Sequence, residues 1–322
     1  TASNTLADED GLGTITYTWK ADGVTVGTGS TYTLTQAEVG KVMTVTASYT
    51  DGQGTAESVT SAGTTAVGNT NNAPTGTVTI SGTPTEDQTL TASNTLADVD
   101  GLGVISYQWQ RDGVDIVGAT GSTYTLGDAD VGATITVVAS YTDGQGTSES
   151  VTSTGAGPIG NVNDNPVGLP VITGTVTEDQ TLTADTSGIS DADGLGAFNY
   201  QWLRDGVAIT GATASTYTLG DADVGATITV VASYTDGQGT AESVASAGVG
   251  PIANINDAPA GTVTIAGTAQ EGQTLTASNT LADEDGLGTI TYTWKADGVT
   301  VGTGSTYTLT QAEVGKVMTV TA

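Results

Sequence analysis

Pairs of acidic residues separated by one position recur in the loops of this 322-residue chain. Asp98-Val-Asp100-Gly101 and Asp191-Ala-Asp193-Gly194 are two examples. This spacing puts both carboxylates on one concave side of a loop, where hard cations bind through oxygen. The chain has 35 acidic residues, six basic residues, no His and no Cys, and its net charge is -29. An imidazole base, a thiolate nucleophile and the usual zinc site are excluded, and a cation is the expected partner rather than polyanionic nucleic acid.

The sequence repeats with a period of about 90 residues. TASNTLADED at residues 1–10 returns as TASNTLADVD at 91–100 and as TASNTLADED at 276–285, and a diverged copy begins at Thr183. The four Trp residues, Trp19, Trp109, Trp202 and Trp294, follow the same spacing and are expected to anchor one core each. We therefore predict four domains, named copies 1 to 4, at residues 1–69, 73–160, 167–253 and 260–322, with copy 1 lacking its first strand and copy 4 its last.

Within each copy the hydrophobic pattern has a period of two. In Ile105-Ser-Tyr107-Gln-Trp109, apolar residues alternate with polar ones, which is typical of a strand with one buried face. Turn residues separate six or seven such runs per copy, and Asp112-Gly113 predicts a hairpin turn of the primed type. The predicted fold is all-β, an elongated tandem array of Ig-like or cadherin-like β-sandwich domains.

The chain resembles, over its whole length, the Ig-like and cadherin-like extender repeats of giant bacterial adhesins of the repeats-in-toxin type. The resemblance is carried by Trp109-Gln-Arg-Asp112-Gly113, by Thr123 to Leu126 followed by Asp130-Val-Gly132, and by the linkers 161–166 and 254–259. These linkers are similar to the cadherin Asp-x-Asn-Asp-Asn-Ala-Pro junction. The resemblance implies calcium at the junctions between copies, an extracellular position on a bacterial cell and type I secretion. Paired cysteines are lacking, so Ile135 and Val137 are expected to fill the space beside Trp109.

In this topology the acidic loops of adjoining copies face each other across the linkers, which we name the first (69–74), middle (161–166) and third (254–259) junctions. So many carboxylates need a counter-ion, and Ca²⁺, which accepts six to eight oxygen ligands in loose geometry, suits irregular loops best. The predicted calcium ligands are Asp8, Asp10 and Asp51 in copy 1; Asn69, Asn71 and Asn72 in the first linker; Glu86, Asp87, Asp98, Asp100, Asp128, Asp130 and Asp143 in copy 2; Asn161, Asn163 and Asp164 in the second linker; Glu178, Asp179, Asp191, Asp193, Asp221, Asp223 and Asp236 in copy 3; Asn254, Asn256 and Asp257 in the third linker; and Asp283 and Asp285 in copy 4.

Some acidic residues have a simpler interpretation. Asp-Gly pairs form turns without a metal, and this interpretation is preferred for Asp22, Asp112, Asp205 and Asp297. Asp128-Ala-Asp130 either binds calcium or caps a short turn. Copies 1 and 4 carry Gln36-Ala-Glu38 and Gln311-Ala-Glu313 there, and the first linker has Asn72 where the others have an acid. Weaker or fewer ions are therefore expected at the first junction.

The predicted function is mechanical. Near-identical copies suit a calcium-rigidified spacer that holds a distal ligand-binding domain away from the cell, for attachment or biofilm formation. The alternative is a glycan- or ice-binding module that uses Thr-rich strand faces. An enzyme is not expected, because one acidic loop recurs in four copies without another catalytic group. Calcium and neighbouring repeats are the expected partners, with no membrane insertion, and the incomplete terminal copies could associate head to tail.

Overall fold

The computed structural model describes residues 1–322, which form 24 strands and four short 3-10 turns. The all-β fold class is confirmed. The chain forms two compact units, Thr1–Val162 and Asn163–Ala322, and each contains the sheets of two copies. The division into four domains stays a prediction. No helix combines the length and apolar character needed to cross a membrane.

The first unit contains the strands of copies 1 and 2. In copy 1, the sheet order is β2-β1-β3-β4; in copy 2, one sheet has the order β5-β6-β9 and the other the order β11-β10-β7-β8, with all pairs antiparallel. The strands are β1 (Thr16–Ala21), β2 (Val24–Thr28), β3 (Met43–Thr50), β4 (Ala56–Thr60), β5 (Val78–Ser81), β6 (Thr89–Asn94), β7 (Ser106–Arg111), β8 (Val114–Asp115), β9 (Thr123–Thr125), β10 (Ile135–Thr142) and β11 (Ser148–Thr152).

The second unit repeats the arrangement. Copy 3 pairs its strands in the orders β12-β13-β16 and β15-β14-β17-β18, and copy 4 in the orders β19-β20-β23 and β22-β21-β24. The strands are β12 (Val171–Thr173), β13 (Thr181–Asp185), β14 (Asn199–Arg204), β15 (Val207–Ala208), β16 (Thr216–Thr218), β17 (Ile228–Thr235), β18 (Ala241–Ala245), β19 (Val263–Ala266), β20 (Thr274–Asn279), β21 (Thr293–Ala296), β22 (Val299–Thr303), β23 (Thr306–Thr308) and β24 (Met318–Thr321). Copies 2 and 3 therefore have seven strands each, as the turn spacing predicts.

The core of copy 2 lies between its two sheets. Leu90 from one sheet and Trp109, Ile135 and Val137 from the other are all fully buried in one cluster. The indole N–H of Trp109 donates to the carbonyl of Gly121 at 2.9 Å, so its single polar atom is satisfied. The prediction that aliphatic residues pack beside the core Trp is confirmed. The acidic loops connect the strands of this core.

The Asp-Gly hairpins have the predicted primed geometry. Asp112 has φ of 48° and Gly113 has φ of 80°, which places both central residues in the left-handed region. The Asp112 carboxylate accepts a hydrogen bond from the N–H of Thr134 at 2.9 Å. Its role is therefore local, and the same bond recurs at Asp22, Asp205 and Asp297.

The outer faces of the three-stranded sheets carry rows of hydroxyl groups. Thr79 and Ser93 hydrogen bond across β5 and β6 at 2.8 Å, and their counterparts in copy 4 do so at 2.9 Å. In copy 3 the corresponding pair is Val171 and Asp185, whose side chains interrupt the row. The rows therefore do not match in every copy.

Candidate metal centre

Glu178 is central to the third junction. Its backbone N–H donates to the carbonyl of Ala253 at 2.9 Å, which ties the loop before β13 to the end of copy 3. Its side chain is 1% exposed, and its Oε2 accepts a hydrogen bond from the N–H of Ile255 at 3.3 Å. Its Oε1 is buried and receives no hydrogen bond. A buried carboxylate oxygen without a donor is costly unless a cation or a proton binds it.

The side chains of Asp221 and Asp223 point in different directions. Asp221 is exposed, whereas Asp223 is buried against copy 3. Both belong to the 3-10 turn Asp221–Asp223. The buried Asp223 carboxylate accepts hydrogen bonds from Arg204 Nε at 2.6 Å, Tyr217 Oη at 2.8 Å and the N–H of Gly220 at 2.9 Å. These bonds fix the turn, while the Asp221 side chain remains exposed on its outer side.

Asp257 brings a third carboxylate from the linker. Its N–H donates to Asp285 Oδ2 at 2.9 Å, which fixes the linker to the first acidic loop of copy 4. One oxygen from each of Glu178, Asp221 and Asp257 lies within 4.8 Å of the other two. Oxygens this close can all reach one Ca²⁺ at the usual 2.3–2.6 Å. The donor set, all carboxylate oxygen, fits calcium.

The electrostatics of this cluster disfavour three separate anions. The neighbouring Asp221 carboxyl is the largest cause that raises the pKa of Glu178, followed by burial. Burial is the largest cause that raises the pKa of Asp257, followed by the charges of Asp179 and Asp221. The charges that raise both pKa values are carboxylates, so a divalent cation would relieve the repulsion.

The first junction gathers fewer carboxylates. The N–H of Asn72 donates to Asp100 Oδ2 at 2.6 Å, so this linker is fixed to copy 2 as the third linker is fixed to copy 4. Asp143 Oδ1 accepts hydrogen bonds from the N–H groups of Gln145 and Thr147, while its buried Oδ2 has no hydrogen-bond partner. Two buried carboxylates, Asp100 and Asp143, thus belong to the loops expected here.

The residues predicted for the middle junction divide between the two units. In the first unit, buried Glu86 accepts a hydrogen bond on Oε2 from the N–H of Val162 at 3.2 Å. In the same unit, Asn161 Oδ1 is buried without a hydrogen-bond donor. In the second unit, the N–H of Asp164 donates to Asp193 Oδ2 at 2.8 Å. Asp236 repeats the arrangement of Asp143, with a buried Oδ2 that has no hydrogen-bond partner.

Several predicted ligands are engaged by their own copy. Asp130 accepts hydrogen bonds from Arg111 Nε at 2.7 Å and Tyr124 Oη at 2.8 Å, the same arrangement as Asp223. Asp98 accepts hydrogen bonds from Tyr141 Oη at 2.5 Å and from the N–H of Asp100 at 2.8 Å. Equivalent bonds engage Asp8 with Tyr49 and Asp10, and Asp191 with Tyr234 and Asp193.

The remaining predicted ligands lie in turns or on exposed parts of the loops and linkers. Asp51 accepts hydrogen bonds from the N–H groups of Gln53 and Thr55. Asp87 and Asp179 occupy turns with positive φ of 62° and 60°. The Asp283 carboxylate accepts the N–H of Asp285 at 3.1 Å. The side chains of Asn69, Asn71, Asn163, Asn254, Asn256 and Asp128 are exposed.

The structure adds three acidic residues that the sequence analysis did not select. Asn71 Nδ2 donates to Glu149 Oε1 at 2.6 Å, and Asn163 Nδ2 donates to Glu242 Oε1 at 2.8 Å. Each bond joins a linker to the four-stranded sheet of the copy that follows. Glu284 lies between Asp283 and Asp285, and the charge of Asp221 is the largest cause that raises its pKa. In the sequence, only the position of Glu284 between two predicted ligands indicated its importance. Nothing in the sequence indicated Glu149 or Glu242, which lie within strands.

No family model and no curated protein matches the chain. It is similar to solved structures of tandem β-domains. A Ca²⁺-stabilised adhesin that helps an Antarctic bacterium reach out and bind ice has 16% identity and a TM-score of 0.31, over 98% of this chain and 83% of that one. A tetra-tandem repeat in the extending region of a large adhesion protein has 16% identity and a TM-score of 0.27, over 97% of this chain and 87% of that one. Mouse cadherin-23 EC22-24 has 16% identity and a TM-score of 0.32, over 76% of this chain and 87% of that one.

The predicted resemblance is confirmed at this level. Adhesin and cadherin repeats are among the structures to which the chain is similar. At such identities the likeness concerns the fold alone.

Proposed function

We propose that this chain is a calcium-rigidified extender segment of a large bacterial surface adhesin. It projects a distal ligand-binding domain away from the cell, for attachment or biofilm formation. The sequence resemblance, with its linker pattern and near-identical copies, supports the adhesin and the extracellular setting with type I secretion. The chemistry of the third junction supports calcium.

The observation that carries the proposal is the cluster of Glu178, Asp221 and Asp257. Glu178 and Asp221 come from copy 3, whereas Asp257 belongs to the linker and is held by Asp285 of copy 4. An ion bound by all three would connect copy 3 to a linker that copy 4 already fixes. The buried Oε1 of Glu178, which has no donor, is the strongest single indication that an ion belongs there.

Calcium would stiffen the array by removing freedom from the linkers. A short linker alone leaves two domains able to swing relative to one another. A site with a dissociation constant near 10⁻⁴ M, as in extracellular modules, adds about 2.7 kcal/mol at a hundredfold excess of free calcium. Low cytosolic calcium would leave the same chain flexible before export.

Calcium titration of the full chain by isothermal titration calorimetry tests the proposal. The chain should bind calcium at millimolar concentration or below, and Glu178→Gln and Asp257→Asn should each weaken the third-junction site by about tenfold or more. Asp112→Asn is the matched control, because it removes one charge from a hairpin turn and Asn tolerates the left-handed backbone there. Equal affinity in all four proteins would contradict the proposed ligands.

The Thr-rich faces support the alternative of a glycan- or ice-binding module less well. A flat binding face requires matching hydroxyl rows in each copy, whereas Val171 and Asp185 interrupt the row in copy 3. The hydroxyl groups in copies 2 and 4 also bond to each other across the strands. The residues therefore support the role of a spacer better than that of a glycan- or ice-binding module.

A further inference from the structure

Glu284 distinguishes the third junction from the other two. It is the central residue of Asp283-Glu-Asp285, where copies 2 and 3 have Val99 and Ala192. The side chains at these two positions carry no charge and no oxygen. The third junction therefore has one more carboxylate in this loop than the first and middle junctions.

Glu284 borders a cavity beside the third linker. With Asp257, Asp283, Ala258, Ala260 and Ala282 it lines a cavity of about 270 Å³. A water molecule occupies roughly 30 Å³ in the liquid, so an ion with part of its hydration shell fits this space. The other lining residues are alanines, and the only polar side chains on the cavity wall are the three carboxylates.

The charges around Glu284 come from both sides of the junction. Asp221 and Asp179 of copy 3, Asp257 of the linker and the neighbouring Asp283 all act on its carboxylate. Asp257 also belongs to the cluster with Glu178, whose buried Oε1 has no donor. Asp257 therefore belongs both to the wall of the cavity and to the cluster that contains the buried oxygen.

We propose that Glu284 is an additional calcium ligand at the third junction and makes this junction load before the others. The inference rests on the proposed function and deepens it, because it ranks the junctions by affinity. Calcium affinity increases with the number of charged ligands in a site. As calcium rises, the third junction stiffens first, and the junctions with Val99 and Ala192 follow.

The test compares calcium binding to the full chain and to Glu284→Ala and Glu284→Gln, by equilibrium dialysis against calcium alone. Glu284→Ala should weaken the tightest class of sites about tenfold, and Glu284→Gln, which keeps a neutral oxygen, should weaken it less. Glu9→Ala is the matched control, since Glu9 has the same loop position in copy 1. Because Glu284 is exposed, the variants should fold, and circular dichroism in chelator checks this.

The reciprocal variant adds the missing carboxylate to the first junction. Val99 is 63% exposed, so Val99→Glu should be accommodated, and it should tighten one weak calcium site about tenfold. Identical binding by Glu284→Ala and wild type, with wild type still binding calcium, would overturn this inference alone. A wild-type chain that binds no calcium would overturn the proposed function as well.

Discussion

Glu178 and Asp221 bring carboxylate oxygens to within 4.8 Å of each other across two loops of copy 3. Neither Glu178 nor Asp257, the third carboxylate of the cluster, has an ion pair with a basic side chain; the two ion pairs of the chain join Arg111 to Asp130 and Arg204 to Asp223. Such a cluster is unfavourable in the absence of metal, and a bound cation would stabilise it.

Glu178→Gln should have opposite effects on thermal stability with and without calcium. In chelator, loss of one buried charge relieves repulsion, and we expect the melting temperature to rise by about 3 °C. In saturating calcium, loss of the ligand should lower it relative to wild type. Differential scanning calorimetry measures both, with Glu271→Gln as the control, because Glu271 occupies the corresponding loop of copy 4 and is exposed. A change of the same sign in both conditions would mean that Glu178 is only a packing residue.

Asp223→Asn tests whether this residue is a ligand or a structural anchor. Its carboxylate holds Arg204, Tyr217 and the N–H of Gly220, so the variant should destabilise copy 3 by about 2 kcal/mol with and without calcium. Calcium affinity, measured well below the melting temperature, should change little. Reduced affinity with unchanged stability would show instead that Asp223 binds the ion, as the sequence predicts.

Sequence periodicity was sufficient for the fold because Trp109 and the alternating apolar residues determine which strand face is buried. It was also sufficient for the acidic loops, since their spacing is local. It could not determine where each carboxylate points. Asp221 and Asp223 have the same type and lie in one turn, yet Asp223 is buried against Arg204 while Asp221 is exposed. That difference depends on tertiary contacts such as the one with Arg204, 19 residues away in sequence. The contact between Asn71 and Glu149 likewise joins residues that are 78 positions apart.

Asn72→Asp should strengthen the first junction. The backbone N–H of Asn72, which binds Asp100, is retained, while the new side chain matches the acid found at Asp257. We expect calcium affinity at this junction to increase about tenfold. Titration by calorimetry measures the change, and Asn71→Asp is the comparison, since it disrupts the bond to Glu149. Unchanged affinity in Asn72→Asp would contradict the view that the linker acid sets the strength of a junction.

The metal-free chain should become more stable on mild acidification. The pKa values of Glu178, Asp257 and Glu284 are raised in the folded state, so in the window above their usual values the folded chain binds more protons than the unfolded chain. Stability in chelator should therefore increase as the pH falls from about 7 towards about 5. Below this range stability should fall, because the pKa values of Glu38 and Glu313 are lowered by hydrogen bonds from the backbone of Thr35 and Thr310 and their contribution is lost on protonation.

Urea unfolding at several pH values measures this profile. Saturating calcium should remove the gain between pH 7 and 5, because the ion already neutralises the cluster and competes with protons. A metal-free chain whose stability falls steadily across that window would contradict the assigned pKa directions.

Small-angle X-ray scattering of the full chain, with calcium and with chelator, tests the central claim most directly. If calcium bound at the junctions fixes neighbouring copies, the scattering in millimolar calcium should be that of one rigid particle with a defined maximum dimension. Chelator should give the signature of a flexible chain of domains, and Glu178→Gln with Asp257→Asn should retain part of that flexibility in calcium. Identical scattering curves with calcium and with chelator would contradict the extender mechanism.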